Sequence, residues 1–493
     1  PGPLCGPDGK GRRASPSRRS HAERGNERSE HGRRHEGFHA DPRLRRVTAC
    51  HPSPSPVSLL PSPVSLLPSP LCPLPSPFSL LCSALCILLL FLVAGPLAVA
   101  GEPTLRLTPA AKAAGIRELP GKRITLLTDL PSAPAVDELP HVFDLAFPQW
   151  CKYFGVNADE HANWHVTGCL MKDKSLFQRA GLLPDAVLRV STGFSYNYDL
   201  WVFEQASDYY RRHLLLHEGV HSFMNTVLGS CGPPWYAEGM AELLGTHRWR
   251  DGRLTLGYFP ADRDDVPMWG RIKIVRDAFA ERRARRLPDV LAYNPATQPG
   301  REPYGWCWAI AALLDGHPRY QERFRTLPRL VNRPDFTDQL RRLLGPDWDH
   351  LAEDWQVFVA DVDYGYDFQR TAIDFSPGRP IAPTGGRATI HADRGWQNSG
   401  IALKAGTTYR LLAAGRYQVA AEPKPWWCEP NGVSIRYYRG QPLGILLGAV
   451  LPDAPAPGPC PLIVPVPVGL QSTLSPQHSG TLFLRINDSG AEL

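Results

Sequence analysis

The chain has 493 residues, of which 43% are hydrophobic and 21% are charged, and this composition excludes a wholly disordered or collagen-like protein. Its length suits two or three domains that can each bury a core. The net charge of +6 arises in the first fifty residues, because residues 101–493 hold 42 basic and 42 acidic side chains. We therefore do not expect a basic surface for nucleic acid.

The N-terminal segment is rich in proline, serine and arginine. Residues 54–81 repeat a seven-residue unit, PSPVSLL in its first two copies, whose prolines are incompatible with a helix or a central strand. The stretch before it lacks the apolar residues that a folded core needs. We predict that residues 1–79 are disordered and are translated upstream sequence.

An apolar run follows in residues 80–100 and ends in small residues, which is typical of a secretory signal peptide cleaved before Gly101. The alternative is an uncleaved membrane anchor, but Pro96 interrupts the run and it is shorter than a bilayer requires. We expect a secreted or extracytoplasmic protein, in a periplasm or at a cell surface. No transmembrane span is expected in the mature chain.

Six of the eleven cysteines follow residue 100. An even number is compatible with three disulfides in an oxidising compartment, and six buried free thiols are the alternative. Because none of the six forms a CxxC pair, we do not expect zinc to be bound by cysteine.

The pattern of apolar residues divides the mature chain into two domains. In residues 101–375 strand-like and helix-like patterns alternate, whereas in residues 387–493 short apolar runs alternate with turn residues. Residues 376–386, SPGRPIAPTGG, have the composition of a linker. We predict an α+β fold in which a small mixed sheet and several helices precede an all-β sandwich domain.

The first domain contains several predictable elements. Strands are predicted at 123–127, 164–170 and 200–203, the last near a sheet edge and reached from the turn-rich sequence STGFSYNYD. A helix is predicted over 136–154. A second helix of about 20 residues begins at Ser207 or Asp208 and ends before Gly229.

That second helix carries polar side chains although its apolar residues cover most of its circumference. It contains the sequence His217-Glu218-Gly219-Val220-His221. Histidines four residues apart lie on one helical face and can bind one metal ion, and Glu218 beside them can act as a general base. The alternative is that both histidines are ordinary core residues.

A zinc ion that takes part in catalysis requires a third protein ligand and one open position. The next predicted helix, PPWYAEGMAELL, presents Glu238 and Glu242 on one face, and spacing alone does not choose between them. His247 is a weaker alternative. His213 lies about 12 Å along the helix from His221, too far for both to bind one tetrahedral ion, so we expect His213 to pack or to support a ligand.

The HExxH sequence followed by W-x-x-E-G-x-A-E resembles the gluzincin metallopeptidases, which have a zincin-like fold. The resemblance implies that Glu238 is the third zinc ligand. It further implies that Glu242 lies outside the ligand set and holds a histidine Nδ1–H. The gluzincin aminopeptidases carry a G-x-M-E-N signature that this sequence lacks, so an endopeptidase or a specialised peptidase is favoured.

The stretch EPYGWCWAIAALL, residues 302–314, resembles the gluzincin segment whose tyrosine hydroxyl stabilises the tetrahedral intermediate. This likeness implies that Tyr304 is an oxyanion donor. The alternative is that Tyr304 is an aromatic residue that packs at the start of a helix.

The C-terminal region is similar to the PA-I-like galactose-binding lectins in W-x-x-S-G-I, A-A-G-x-Y and G-T-L-F-L-R-I-N-D. In that family an Asp of the I-N-D stretch helps to hold a Ca²⁺ ion that binds sugar hydroxyls, and Asp488 matches it. The paired Asn residues of the family do not follow before Leu493, so we expect an incomplete site and a missing last strand. A sandwich without a ligand is the alternative.

These observations predict an exported zinc metallopeptidase that hydrolyses peptide bonds, with Zn²⁺ bound by His217, His221 and Glu238 and with Glu218 as general base. The expected partners are a peptide or protein substrate and, through a lectin-like sandwich, carbohydrate with Ca²⁺. The alternative is a non-catalytic cell-surface or carbohydrate-binding protein whose metallopeptidase-like domain is degenerate.

Overall fold

The structure is a computed structural model that describes residues 102–188, 192–421, 424–453 and 458–492. The predicted upstream segment and signal peptide, residues 1–100, lie outside the described residues. All the described residues belong to one compact unit. Helices and several β-sheets are combined in it, as expected for an α+β protein.

The N-terminal sheet is formed by β1 (Arg117–Pro120), β2 (Ile124–Thr128), β3 (Val166–Met171), β4 (Gly193–Tyr196) and β5 (Asp199–Phe203). Its strand order is β1-β2-β3-β5-β4, in which β2, β3 and β5 are parallel and β1 and β4 are antiparallel to their neighbours. The sequence STGFSYNYD, which was predicted to be rich in turns, therefore contains the edge strand β4. Asn197 has a φ of 51°, a left-handed conformation that allows the tight turn between β4 and β5.

The helices are α1 (Pro109–Ala113), α2 (Pro134–Asp137), α3 (Leu139–Phe154), α4 (Lys174–Arg179), α5 (Asp208–Phe223), α6 (Pro234–Gly245), α7 (Arg271–Ala280), α8 (Leu287–Leu291), α9 (Glu302–Gly316), α10 (Gln321–Phe324), α11 (Phe336–Leu344), α12 (Asp347–Asp361) and α13 (Phe368–Thr371). A hairpin of β6 (His247–Arg250) and β7 (Arg253–Leu256) follows α6. None of these helices combines the length and apolar character that crossing a membrane demands.

The two central helices have the ends that were predicted for them. The Ser207 side chain accepts a hydrogen bond from the backbone N–H of Tyr210 and caps α5. One π-helical turn, Met224–Leu228, continues α5 until Gly229 adopts a left-handed φ of 86°. Pro234 opens α6, where its missing N–H costs no hydrogen bond.

Close packing between α3 and α5 fixes the orientation of α5. A Cβ added at Gly219 would lie 2.6 Å from the Phe143 ring and 2.7 Å from the Trp150 ring. Only glycine therefore allows the two helices to approach this closely. Phe223 extends the same contact and lies against the rings of Trp150 and Trp164.

The C-terminal strands are β8 (Arg379–Pro380), β9 (Gln397–Leu403), β10 (Tyr409–Leu412), β11 (Tyr417–Ala420), β12 (Trp426–Cys428), β13 (Asn431–Tyr438), β14 (Gln441–Pro452), β15 (Val466–Pro467), β16 (Gln471–Leu474) and β17 (Gly480–Ile486). A six-stranded sheet has the order β13-β14-β17-β9-β8, with β15 also paired to β14. The pairs β10–β16 and β11–β12 form separate ribbons. Strand β8 lies within the predicted linker and pairs with β9.

The C-terminal sheet packs directly against the helical part of the chain. Val357 of α12 shares one apolar cluster with Trp396 and Phe483. Asp361 at the end of α12 pairs with Arg485 at 2.5 Å, and both side chains are buried. Asp361 also pairs with Arg439, so two arginines of the C-terminal part compensate the charge of this carboxylate.

Cys151, Cys169, Cys231, Cys307, Cys428 and Cys460 are all unpaired. The three disulfides that the even number of cysteines allowed are therefore not formed in this structure. All except Cys231 are buried, and burial raises the pKa of thiols such as Cys460, whose pKa is about 12.

Candidate active site

Three side chains from α5 and α6 converge at the centre of the helical part. The Nε2 atoms of His217 and His221 are 3.2 Å apart. The Oε2 atom of Glu238 lies 3.4 Å from the first and 3.5 Å from the second. Helical periodicity places the two imidazoles on one face of α5, and α6 folds back to bring Glu238 opposite them.

The spacing of these three atoms fits a small divalent cation. Ligand atoms held at 2.0–2.1 Å in a tetrahedron are about 3.3 Å from one another, close to the three separations measured here. The Glu238 Oε2 atom is buried and makes no hydrogen bond. Two imidazole nitrogens and one carboxylate oxygen are also the donor types that Zn²⁺ binds in catalytic sites.

The electrostatics of the group keep the Glu238 carboxylate ionised. Burial opposes ionisation of Glu238, but attraction to His221 and His217 outweighs burial and lowers the pKa of Glu238 to about 2. Burial likewise disfavours the charged form of His221, yet the neighbouring carboxylate of Glu238 raises its pKa well above the ordinary value. An ionised carboxylate therefore faces the two imidazoles inside a buried site.

Glu218 lies beside this group, between α5 and the edge strand β4. A Cβ added at Gly193 would lie 2.4 Å from Glu218 Oε1, so glycine leaves the space that this carboxylate occupies. Ser195 lies two residues farther along β4, on the same face as Gly193, and its side chain lowers the pKa of Glu218 slightly. Burial raises the pKa of Glu218, although His217 and His221 act in the opposite direction, and a raised pKa suits a general base.

A second His/Glu group adjoins the first and shares His217. The Nε2 atom of His213 is 3.2 Å from Glu242 Oε2, and the Nδ1 atom of His217 is 3.6 Å from Glu242 Oε1. Arg271 donates to both oxygens of Glu242, at 2.7 and 2.9 Å. Because this guanidinium already neutralises the carboxylate, a metal ion at the second group would meet a like charge.

The roles predicted for Glu242 and His213 can be compared with their positions. Glu242 faces the outer nitrogen of His217, as the gluzincin resemblance implies, at a distance slightly beyond a hydrogen bond. His213 is fully buried and contacts Glu242, and it is absent from the group around Glu238. Burial acts to raise the pKa of Glu242. Attraction to Arg271 and His213 outweighs burial and lowers the pKa below its ordinary value, so the carboxylate is ionised.

Tyr304 lies in the first turn of α9, next to the His/Glu group. The centre of its ring is 6.2 Å from the centre of the His217 ring. The guanidinium carbon of Arg271 lies 5.9 Å from the centre of the Tyr304 ring. The negative charge of Glu238, together with burial, raises the pKa of the Tyr304 phenol, which keeps the hydroxyl protonated as a donor. The structure thus brings Tyr304 together with the other predicted residues.

Two predicted candidates lie elsewhere. His247 interacts with the carbonyl oxygen of Gly245 through Nδ1 at 2.9 Å and stacks on Tyr209, and burial lowers its pKa to about 3. Neither of the His/Glu groups found among the described residues includes it. Asp488 is in the C-terminal part, where its carboxylate accepts a hydrogen bond from the backbone N–H of Ser489 and burial raises its pKa to about 6.

Several residues of the site were not predicted. Arg271 and Gly193 belong to distant segments whose local sequence carries no metal or catalytic motif, and only their contacts with Glu242 and Glu218 reveal them. Cys231 lies in the connection between the two helices, with its sulfur 4.0 Å from His221 Nδ1 and 3.5 Å from the carbonyl oxygen of His221. Its proximity in sequence to the HExxH motif was the one available signal.

No protein-family model matches this sequence, and no curated protein matches it either.

Proposed function

We propose that the chain is an exported zinc metallopeptidase whose metal site is formed by His217, His221 and Glu238. The observation that supports the proposal most directly is the set of three separations, 3.2, 3.4 and 3.5 Å, between two imidazole nitrogens and one carboxylate oxygen. A Glu of raised basicity beside that group is what zinc-dependent hydrolysis requires in addition.

The chain's own residues would divide the reaction between them. When bound, Zn²⁺ polarises a carbonyl oxygen and lowers the pKa of a water molecule. Glu218 accepts the proton of the attacking water on a carboxylate oxygen and passes it to the leaving amine. The Tyr304 hydroxyl, kept protonated beside Glu238, donates a hydrogen bond to the developing oxyanion.

The edge strand β4 favours a peptide as the substrate. Among the described strands it has a neighbour on one side only, β5, so its outer backbone groups are available for pairing. An extended peptide that added to this edge would run past Glu218, since Gly193 of β4 lies directly against that carboxylate. Backbone pairing would therefore align the peptide bond with the general base.

The proposal is tested on the chain from residue 101 by metal analysis and a digest of a broad peptide library. The purified protein should contain about one zinc ion per chain. Glu218→Gln should keep that metal and lose hydrolysis by a factor of about 10²–10⁴, because the substitution removes only the proton acceptor. Glu118→Gln, at an exposed position of β1, is the matched control and should leave both unchanged.

Two results would overturn this function. Full hydrolysis by Glu218→Gln would exclude the proposed general base. A protein that binds zinc but cleaves no peptide in the library would favour the alternative of a non-catalytic surface protein with a degenerate metallopeptidase-like domain. The carbohydrate and Ca²⁺ role of Asp488 is a separate prediction, tested by calcium-dependent binding to galactose.

A further inference from the structure

The C-terminal part contains a cavity of about 820 Å³ that the proposed peptidase activity does not use. One wall is the face of the six-stranded sheet that carries Leu403, Leu482 and Leu484. The opposite wall includes Tyr409 and Leu411 of the ribbon strand β10. A volume of this size is within the range of small-molecule sites in proteins, about 300–1,000 Å³.

The cavity exists because the two walls differ in width. Alternate side chains of β17 point to opposite faces, so Leu482 and Leu484 face the cavity while Phe483 faces the helical part. The cavity face of the sheet extends over β9, β17 and β14, whereas the ribbon that covers it has two strands. The ribbon covers only part of this face, and the segment that contains Ala388 and Ile390 forms another part of the lining.

The rim of the cavity is positively charged. Arg387, Arg410 and Arg416 are among its lining residues and all three are exposed, so they mark its solvent side. None of them forms an ion pair with a described residue: Arg410 reaches the Gln471 side chain at 3.5 Å, and Arg416 lies 5.6 Å from the ring centre of Trp427. Among the described residues, no Asp or Glu lines the cavity.

We propose that this cavity binds a free long-chain carboxylic acid. The aliphatic chain lies between Leu403, Leu482 and Leu484 on one side and Leu411 on the other, where its burial is favourable. The carboxylate stays at the solvent side and accepts charge-assisted hydrogen bonds from the unpaired arginines.

The experiment measures binding of palmitic acid to the full chain by titration calorimetry. Hexadecanol, with the same chain length but no charge, tests the arginines, and phosphatidylglycerol vesicles test a membrane surface as the source of the acyl chain. We expect saturable binding of one palmitate per chain and about tenfold weaker binding of hexadecanol. Vesicles should not be bound, since the cavity lies between two protein layers.

Two kinds of variant locate the site. Ala413→Trp places a large side chain in the cavity and should weaken palmitate binding by at least about tenfold, while Ala405→Trp, outside the cavity and equally half-buried, should not. The double variant Arg410→Gln and Arg416→Gln changes only exposed side chains. This double variant should weaken the binding of palmitate by about tenfold and leave the binding of hexadecanol unchanged.

The proposal is overturned if palmitate does not bind, if Ala413→Trp binds it as tightly as the unmodified chain, or if only the vesicles bind. Should Ala413→Trp fail to fold, as judged by circular dichroism, the arginine double variant decides: equal loss for palmitate and hexadecanol, or no loss for either, contradicts the proposed headgroup contact. Arg253→Gln, an exposed arginine of β7 far from the cavity in sequence, is the charge control.

Discussion

The two His/Glu groups on α5 and α6 contain the same residue types and share one histidine, yet they differ in what they can bind. His217 directs Nε2 to Glu238 and His221, and Nδ1 to Glu242, which also contacts His213. Glu238 has a buried oxygen without a hydrogen bond, whereas both oxygens of Glu242 accept from Arg271.

The difference shows that ligand identity does not by itself define a metal site. The second group is closed by a cation of the protein, Arg271, which is itself buried. The first group has two imidazoles and one carboxylate, and no arginine or lysine side chain is hydrogen-bonded to Glu238 among the described residues. The carboxylate of Glu238 therefore has an oxygen available to a cation, whereas the carboxylate of Glu242 is already neutralised by Arg271.

The largest expected effect separates the groups by metal affinity. His221→Gln removes one of the three proposed ligands, and we expect zinc affinity to fall by about 10³-fold in competition with a chelator. His213→Gln alters only the second group and should change the affinity by less than about tenfold. Equal losses in the two variants would show that the ion occupies the group around Glu242.

The next prediction concerns the cation that closes the second group. Arg271→Met leaves Glu242 ionised and buried without its partner, so we expect the free energy of unfolding to fall by about 3–5 kcal/mol. Arg276→Met, on the same helix, breaks an exposed ion pair with Asp363 and should cost less than about 1 kcal/mol. Urea denaturation of both variants makes the comparison.

Arg271→Met also tests whether Arg271 is what distinguishes the two His/Glu groups. Without the guanidinium, Glu242 and His213 become available to a second cation, so excess Zn²⁺ should restore part of the lost stability. If excess Zn²⁺ has no effect on this variant, the presence of Arg271 is not what distinguishes the two groups.

A smaller effect is expected from the position of Glu218, the proposed general base. In Gly193→Ala the new methyl group would collide with Glu218 Oε1, and displacement of the carboxylate should lower kcat/KM by about 10–100-fold while zinc content is kept. Phe194→Ala is the control on the same strand, because its side chain lies on the opposite face near Trp201. Loss of zinc in Gly193→Ala would contradict the separation of base and ligands.

The smallest effect concerns Cys231 beside His221. Because its sulfur is 4.0 Å from His221 Nδ1, a weak contact, Cys231→Ala should lower zinc affinity by less than about tenfold. Cys231→Ser keeps a polar group there and should lose less than the alanine variant. The same chelator competition measures both, and a larger loss in the serine variant would contradict a hydrogen-bonding role.

Much of the site was predictable because its first elements are local. The cap at Ser207, the left-handed Gly229 and the proline at the start of α6 determine where two helices begin and end. The spacing of His217 and His221 then places both imidazoles on one face, whatever the rest of the fold does. The strands β2, β3 and β5 were also predicted, since each is a short run of mainly apolar and β-branched residues.

The remainder depended on contacts between distant segments. Spacing did not distinguish Glu238 from Glu242, and the folded chain does so because Arg271, 29 residues beyond Glu242, occupies one of them. The sequence of the edge strand β4 was predicted to be rich in turns. Its four residues form a strand because their backbone pairs with that of β5. Sequence thus determined the helices and their faces through local hydrogen bonds. Only tertiary packing decided which carboxylate faces the Nε2 atoms of both His217 and His221, and which strand borders Glu218.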